Sequence, residues 1–162
     1  MPSYQFIQDN EAPERIWDFS FLSPRAYMVT TLKDGGEIHI YKFYDSPKRP
    51  THVATLHLPP PHAARSLLEL TTTTGPFLAY PPPDVPFASA RSSRVHVFTM
   101  HHDQLNNREQ WQPACFVVHS RTLLQYVDDY REEAGAADVP WEKWGPHGTR
   151  FFELAMGFQW LR

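Results

Sequence analysis

A single cysteine, Cys115, stands in 162 residues, so no internal disulfide can form and a secreted, disulfide-stapled scaffold is excluded. No apolar run comes near the roughly 20 residues that a membrane-crossing helix needs. Lysine and arginine never gather beyond "PKRP" (47–50), and the formal net charge is −3 with histidine neutral. The electrostatic footprint of a nucleic-acid binder is therefore missing. The opening "MPSYQFIQDNEAPER" lacks a basic-then-apolar leader pattern, and no Asn-x-Ser/Thr acceptor occurs. These absences point to a soluble chain in a reducing compartment, cytoplasmic or nuclear, with neither nucleic acid nor membrane as partner. Glycine is scarce, 7 residues against 16 prolines, and "KDGG" and "TTTTGP" match neither glycine-rich phosphate loop. No Gly-x-Ser-x-Gly elbow is present, and Cys115 lies inside the apolar run "ACFVVH", where a thiol is structural rather than reactive. Neither a cofactor nor a catalytic residue is assigned.

What is present is strand pattern. Hydrophobic residues at 41% and charged residues at 20% fit a globular chain, and residues 1–162 read as one β-rich domain. Aromatic and β-branched segments at 16–21, 26–32, 37–43 and 52–58 are separated by turn chemistry at "SP", "KDGG" and "DSPKRP". Gly35 and Gly36 can supply the positive φ of a tight connection. A second series follows at 67–74, 77–80, 94–100 and 114–119, with "EIHIYKF" (37–43) echoed by "RVHVFTM" (94–100). Matching third piece to third and fourth to fourth gives two four-stranded antiparallel meanders, about 16–58 and 67–119, and a partial β-propeller-like fold. In this alignment His39 and His96 occupy equivalent places. After Ser120, a plausible N-cap, the spacing of Leu123, Leu124, Val127 and Tyr130 predicts a short helix ending by Gly135. The tail opens with one further turn, Asp138 capping it and Pro140 in its first turn.

Nine histidines raise the question of metal. Zinc needs three or four side chains converging on one point, whereas strand alternation turns His101 away from His96 and His102 and gives His52 and His57 opposite parity. A converging set would require a bulge, so the residues read as satisfied sheet or surface histidines and no metal ligand is assigned. Two open sheet edges need cover, and a homo-oligomer is the expected answer. The long connections 81–93 and 101–113 are the expected recognition loops, with Asp84, Arg91, Asp103 and Trp111 as partner-contacting residues. Trp141 and Trp144, three apart, add either an exposed aromatic platform or a seal over the end of the sheets.

The stretches "WDFSFLSPRAYMV", "GGEIHIYKF", "THVATLHLPPP", "GPFLAYPPPDVPFASARSSRVHVFTMHH", "FVVHSRTLLQYV" and "VPWEKWGPHGTRFF" resemble a family of basidiomycete F-box proteins. In that family an F-box is followed by a C-terminal, WD-repeat-like β-propeller region. The resemblance spans about residues 16–152 and implies an intracellular, noncatalytic protein-binding module with a substrate-recognition role. The F-box itself has no counterpart in the chain, and the resemblance supplies no catalytic residues. The reading of a different class is a small β-rich metal-dependent enzyme or sugar-binding protein built on the His and Trp residues.

Overall fold

The computed structural model describes residues 15–43, 49–60, 65–75, 94–104 and 113–153. The chain is mostly β, with two sheets rich in antiparallel pairs and two short helices. The first sheet is a meander of β1 (Asp18–Ser23), β2 (Ala26–Thr31), β3 (Glu37–Lys42) and β4 (Thr51–His57), as the sequence pattern predicts. The β2–β3 connection contains a single 3-10 turn, Lys33–Gly35, with Gly35 at φ 90° and Gly36 at φ 112°. An L side chain at Gly36 would also place its Cβ 2.7 Å from Leu58 Cδ1 and 2.8 Å from Leu67 Cδ2, so both conformation and space require glycine there.

The second sheet departs from the expected meander. β5 (Arg65–Thr74) pairs along its whole length with β6 (Val95–Gln104), and β6 pairs with β7 (Ala114–His119). The expected strand 77–80 lies outside the described residues, and the ladder runs from β5 to β6 without it. β6 is therefore the second strand of its sheet, and β3 is the third of the other, so the echoing segments are not structural equivalents. The fourth place in the second sheet is taken by β9 (Thr149–Glu153), antiparallel to β7. A three-residue strand, β8 (Ala137–Val139), adds to β4 in parallel. Between them α2 (Trp141–Gly148) spans the gap, and α1 (Ser120–Asp129) follows β7 directly.

Side-chain contacts show how the sheets stack. Asp18 Oδ2 accepts from the Thr72 amide at 2.6 Å, and the Thr30 hydroxyl donates to the Leu70 carbonyl at 3.4 Å. Further along, Arg94 donates both to the Phe21 carbonyl and to that of Gly75, just past the end of β5. β1 thus lies over β5 and runs the same way. At the opposite flank α2 joins β4 to the second sheet: Trp144 Nε1 donates to the His57 carbonyl at 2.8 Å, while Trp141 and Trp144 pack edge-on against Phe151 and Phe116. With strand order and direction both preserved, the sheets are stacked in the same sense, the front of the first on the back of the second.

Between them lies the core. Met28, Ile38, Ile40, Ala54 and Leu56 face Leu70, Phe98, Met100, Phe116 and Val118, and Leu123 of α1 closes one end. Phe98 and Phe116 are stacked at 4.7 Å and are fully buried, which makes them the largest apolar contribution at the centre. α1 buries Leu123 but does not use Ser120 as a cap. That residue is the first of the helix, and its hydroxyl meets His96 Nε2 at 3.0 Å. Asp138 likewise caps nothing: it belongs to β8 and its carboxylate goes to His57. No helix among the described residues is long and apolar enough to cross a membrane.

Candidate functional site: the outer face of the first sheet

Strand alternation sends Ile38 and Ile40 into the core and Glu37, His39, Tyr41 and Phe43 to the opposite face. Registers assemble that face into rows. Phe21, Tyr27, Tyr41 and His52 form one, and Phe19, Val29, His39, Thr55 and Asp138 the next; Thr31, Glu37 and His57 form the third. A register shift after Ile40 inserts Val53 as an extra, inward-turned residue in β4, a β-bulge that re-aims the strand. The bulge cancels the parity difference expected between His52 and His57 and puts both on this face.

One end of the face is aromatic. Tyr27 and Tyr41 stack at 5.0 Å, Phe43 lies 5.0 Å from Tyr27, and Phe19 meets Phe21 edge-on at 4.9 Å. Tyr41 is buried, but Phe19, Phe21 and Phe43 remain 46%, 48% and 38% exposed, and Trp17 at the start of the strand is 46% exposed. Large apolar groups held this far in water are unusual when contiguous. Burial pushes the Tyr27 hydroxyl above its ordinary pKa. Beside Phe43 a cavity of about 470 Å³ opens between β3 and α1, lined by Arg25, Lys42, Leu124 and Tyr130 among others, with the Lys42 ammonium 4.2 Å above the Tyr130 ring.

The other end is a line of polar groups around Glu37, which is 4% exposed. Its Oε2 accepts from His39 Nε2 at 3.0 Å and from Thr31 at 3.4 Å, and its Oε1 lies 3.7 Å from His57 Nδ1. His57 Nε2 sits 2.6 Å from Asp138, while the Thr55 hydroxyl links His39 Nδ1 at 3.3 Å to His52 Nε2 at 3.2 Å. These partners place hydrogen on Nε2 of both His39 and His57, each facing a carboxylate, and let His39 Nδ1 accept from Thr55. Burial holds His39 below its usual pKa, with the nearby His52 acting in the same direction and Glu37 opposing both. The groups stand in a chain rather than around a point, and among the described residues no three His, Cys, Asp or Glu side chains are grouped to hold a metal ion. Such a chain fixes orientation and distributes a proton.

His96 is separate from this network. It lies on β6 between the sheets, fully buried, whereas His39 lies on the outer face of the third strand. Both occupy the corresponding side of their own sheets, yet in different strands, so the equivalence expected from the echoing segments does not hold. Burial, with Arg94 nearby, lowers the pKa of His96 to about 4, and its Nδ1 has no hydrogen-bond partner.

Of the residues singled out in the sequence, Asp84, Arg91 and Trp111 lie outside the described residues, as does the connection 81–93. β6 runs on to Gln104 and draws His101, His102 and Asp103 out of the expected 101–113 loop; Asp103 pairs with Ser66 at the end of the ladder. Trp144 is 2% exposed and Trp141 half-buried, stacked edge-on at 5.1 Å. Trp144 packs against Phe116 and donates to the His57 carbonyl, and Trp141 packs against Phe151. Sequence reasoning passed over Phe19, Phe21 and Phe43, although their shared parity with Tyr27 and Tyr41 across the turns was a usable signal. Comparison with known proteins found no matching family model, no matching curated protein and no matching solved structure.

Proposed function

We propose that this chain is a noncatalytic protein-interaction module, a partial β-propeller-like domain whose two sheets act as successive blades. The observation that carries the reading is the aromatic rim of Trp17, Phe19, Phe21 and Phe43, exposed on one face of a sheet whose opposite face is core. Aromatic anchors mounted on a rigid strand scaffold are what a protein partner uses for most of its binding energy. The same-sense stacking supports the blade reading, because repeated sheets in a propeller meet front to back. A substrate-recognition role, like that of the propeller region of fungal F-box proteins, rests on the resemblance of the quoted segments. The polar chain around Glu37 serves in this reading to hold β3, β4 and β8 in register beside the aromatic rim.

The test is comparative capture. Immobilised wild type and a Phe19→Ser/Phe21→Ser variant, both checked for a cooperative unfolding transition, are exposed to the same cell extract and the bound proteins are quantified. The expected result is a discrete set of proteins depleted at least tenfold on the variant. Identical bound sets on the two surfaces would overturn the assignment of this face.

A further inference from the structure

We infer that a second copy of this chain is a partner for the aromatic face, seated through the outer face of its second sheet in the front-to-back sense that already joins the two sheets within one chain. The inference deepens the interaction-module reading and rests on it. Within the chain the front of the first sheet meets the back of the second, with β1 over β5 and with α2 joining β4 to β9. Among the described residues, the remaining sheet faces are one back, on the first sheet, and one front, on the second. The front carries Thr71, Thr73, Val97, Thr99, Val117 and Phe152, all on the side opposite the core in the β5–β6–β7–β9 register. It is largely β-branched, with Glu69 and Arg150 as its charged residues, and Phe152 is 53% exposed.

Repeating the internal stacking places β5 of one copy over β1 of the next, so Thr71 and Thr73 meet Phe19 and Phe21. It places β9 over the β4–β8 flank, which brings the exposed Arg150 to the same side as Asp138, whose side chain is 79% exposed. The two flanks are complementary in charge, and the aromatic end of one face meets the β-branched strands of the other. Each copy offers one front and one back, so the contact is heterologous; it terminates only by closing a ring of copies.

The experiment is solution mass by light scattering on the full chain. A back variant, Phe19→Asp/Phe21→Asp, and a front variant, Thr73→Asp/Phe152→Asp, are compared with wild type and with their equimolar mixture. Wild type is expected as a discrete small oligomer, each variant alone as a monomer, and the mixture as a one-to-one heterodimer, because one intact joint survives only in the mixed pair. A monomeric wild type overturns the inference, as does a mixture that stays monomeric, and so does either variant dimerising alone, which would indicate back-to-back or front-to-front contact. Should either variant fail to show a cooperative melt, cross-linking of isotope-mixed wild type decides. Intermolecular links between the two outer faces support the joint, and their absence refutes it. If self-association fails while the capture experiment still distinguishes the Phe19/Phe21 variant, the interaction-module reading stands and only the identity of the partner falls.

Discussion

His96 makes stability depend on pH in a direction and amount that the structure dictates. The ring is fully buried between the sheets, its Nε2 is satisfied by Ser120 at 3.0 Å, and its Nδ1 has no partner. Protonation would put an unpaired N–H and a charge into an apolar space near Arg94, and the pKa falls from 6.5 to about 4. Above pH 7 the folded and unfolded chains are both neutral at this site and stability is at its full value. As pH drops below 6.5 the unfolded chain takes up a proton that the native chain refuses, so stability is lost down to pH 4, where the native ring also titrates. At about 1.4 kcal/mol per pH unit the whole window is worth roughly 3 kcal/mol, of which about 2 kcal/mol is spent by pH 5. That is a large share of the roughly 5–15 kcal/mol typical of a domain. The assay is urea unfolding of wild type and His96→Gln at pH 7.5 and 5.0. Carboxylates and the other histidines act equally on both proteins, so the difference between them isolates the site. Wild type should lose about 2 kcal/mol more than the variant on going to pH 5, with unchanged denaturant slopes. A wild-type-to-variant difference that stays constant within about 0.5 kcal/mol would refute the argument.

Other consequences are simpler. Gly36→Ala should destabilise the fold by about 1–3 kcal/mol, since φ is 112° and Leu58 and Leu67 crowd the new methyl; thermal melting reads the loss, and an unchanged midpoint would contradict the packing described. Glu37→Gln keeps the shape but leaves His39 facing an amide in place of a carboxylate, at an expected cost of about 1–3 kcal/mol by urea titration. Phe98→Ala removes half of the 4.7 Å central stack and should cost about 3–5 kcal/mol, whereas Asp138→Asn, at an exposed carboxylate, should cost less than about 1 kcal/mol. Reversal of that order would mean that the polar chain, not the core, carries the fold.

The strands whose residues alternate over six or more positions were legible, because alternation and turn residues are local signals. β1 to β4 and the glycine-dependent turn at 35–36 follow the expected pattern within two residues. β8 and β9 were not legible. A three-residue strand has no period to detect, and β9 pairs with a strand whose last residue lies 30 positions earlier. The sequence alignment of "EIHIYKF" with "RVHVFTM" misled for a related reason: similar strands recur because both send alternate residues into the core, and pattern alone does not count how many neighbours separate each from the sheet edge. The polar site was half visible. Glu37 and His39 share parity by simple counting, but His52 joins them only through the bulge at Val53, and Asp138 only through a contact across 81 positions.

The placement of β8 also sets a timetable for synthesis. His57 ends β4, and the strand that covers its edge begins at Ala137, 80 positions later. At a ribosomal pace of roughly 5–20 residues per second, that row of amides and carbonyls waits about 4–16 seconds for its neighbour. Through that interval the nascent chain carries a bare template for strand pairing, and the strand most vulnerable to a wrong pairing is the last one of an otherwise correctly formed meander.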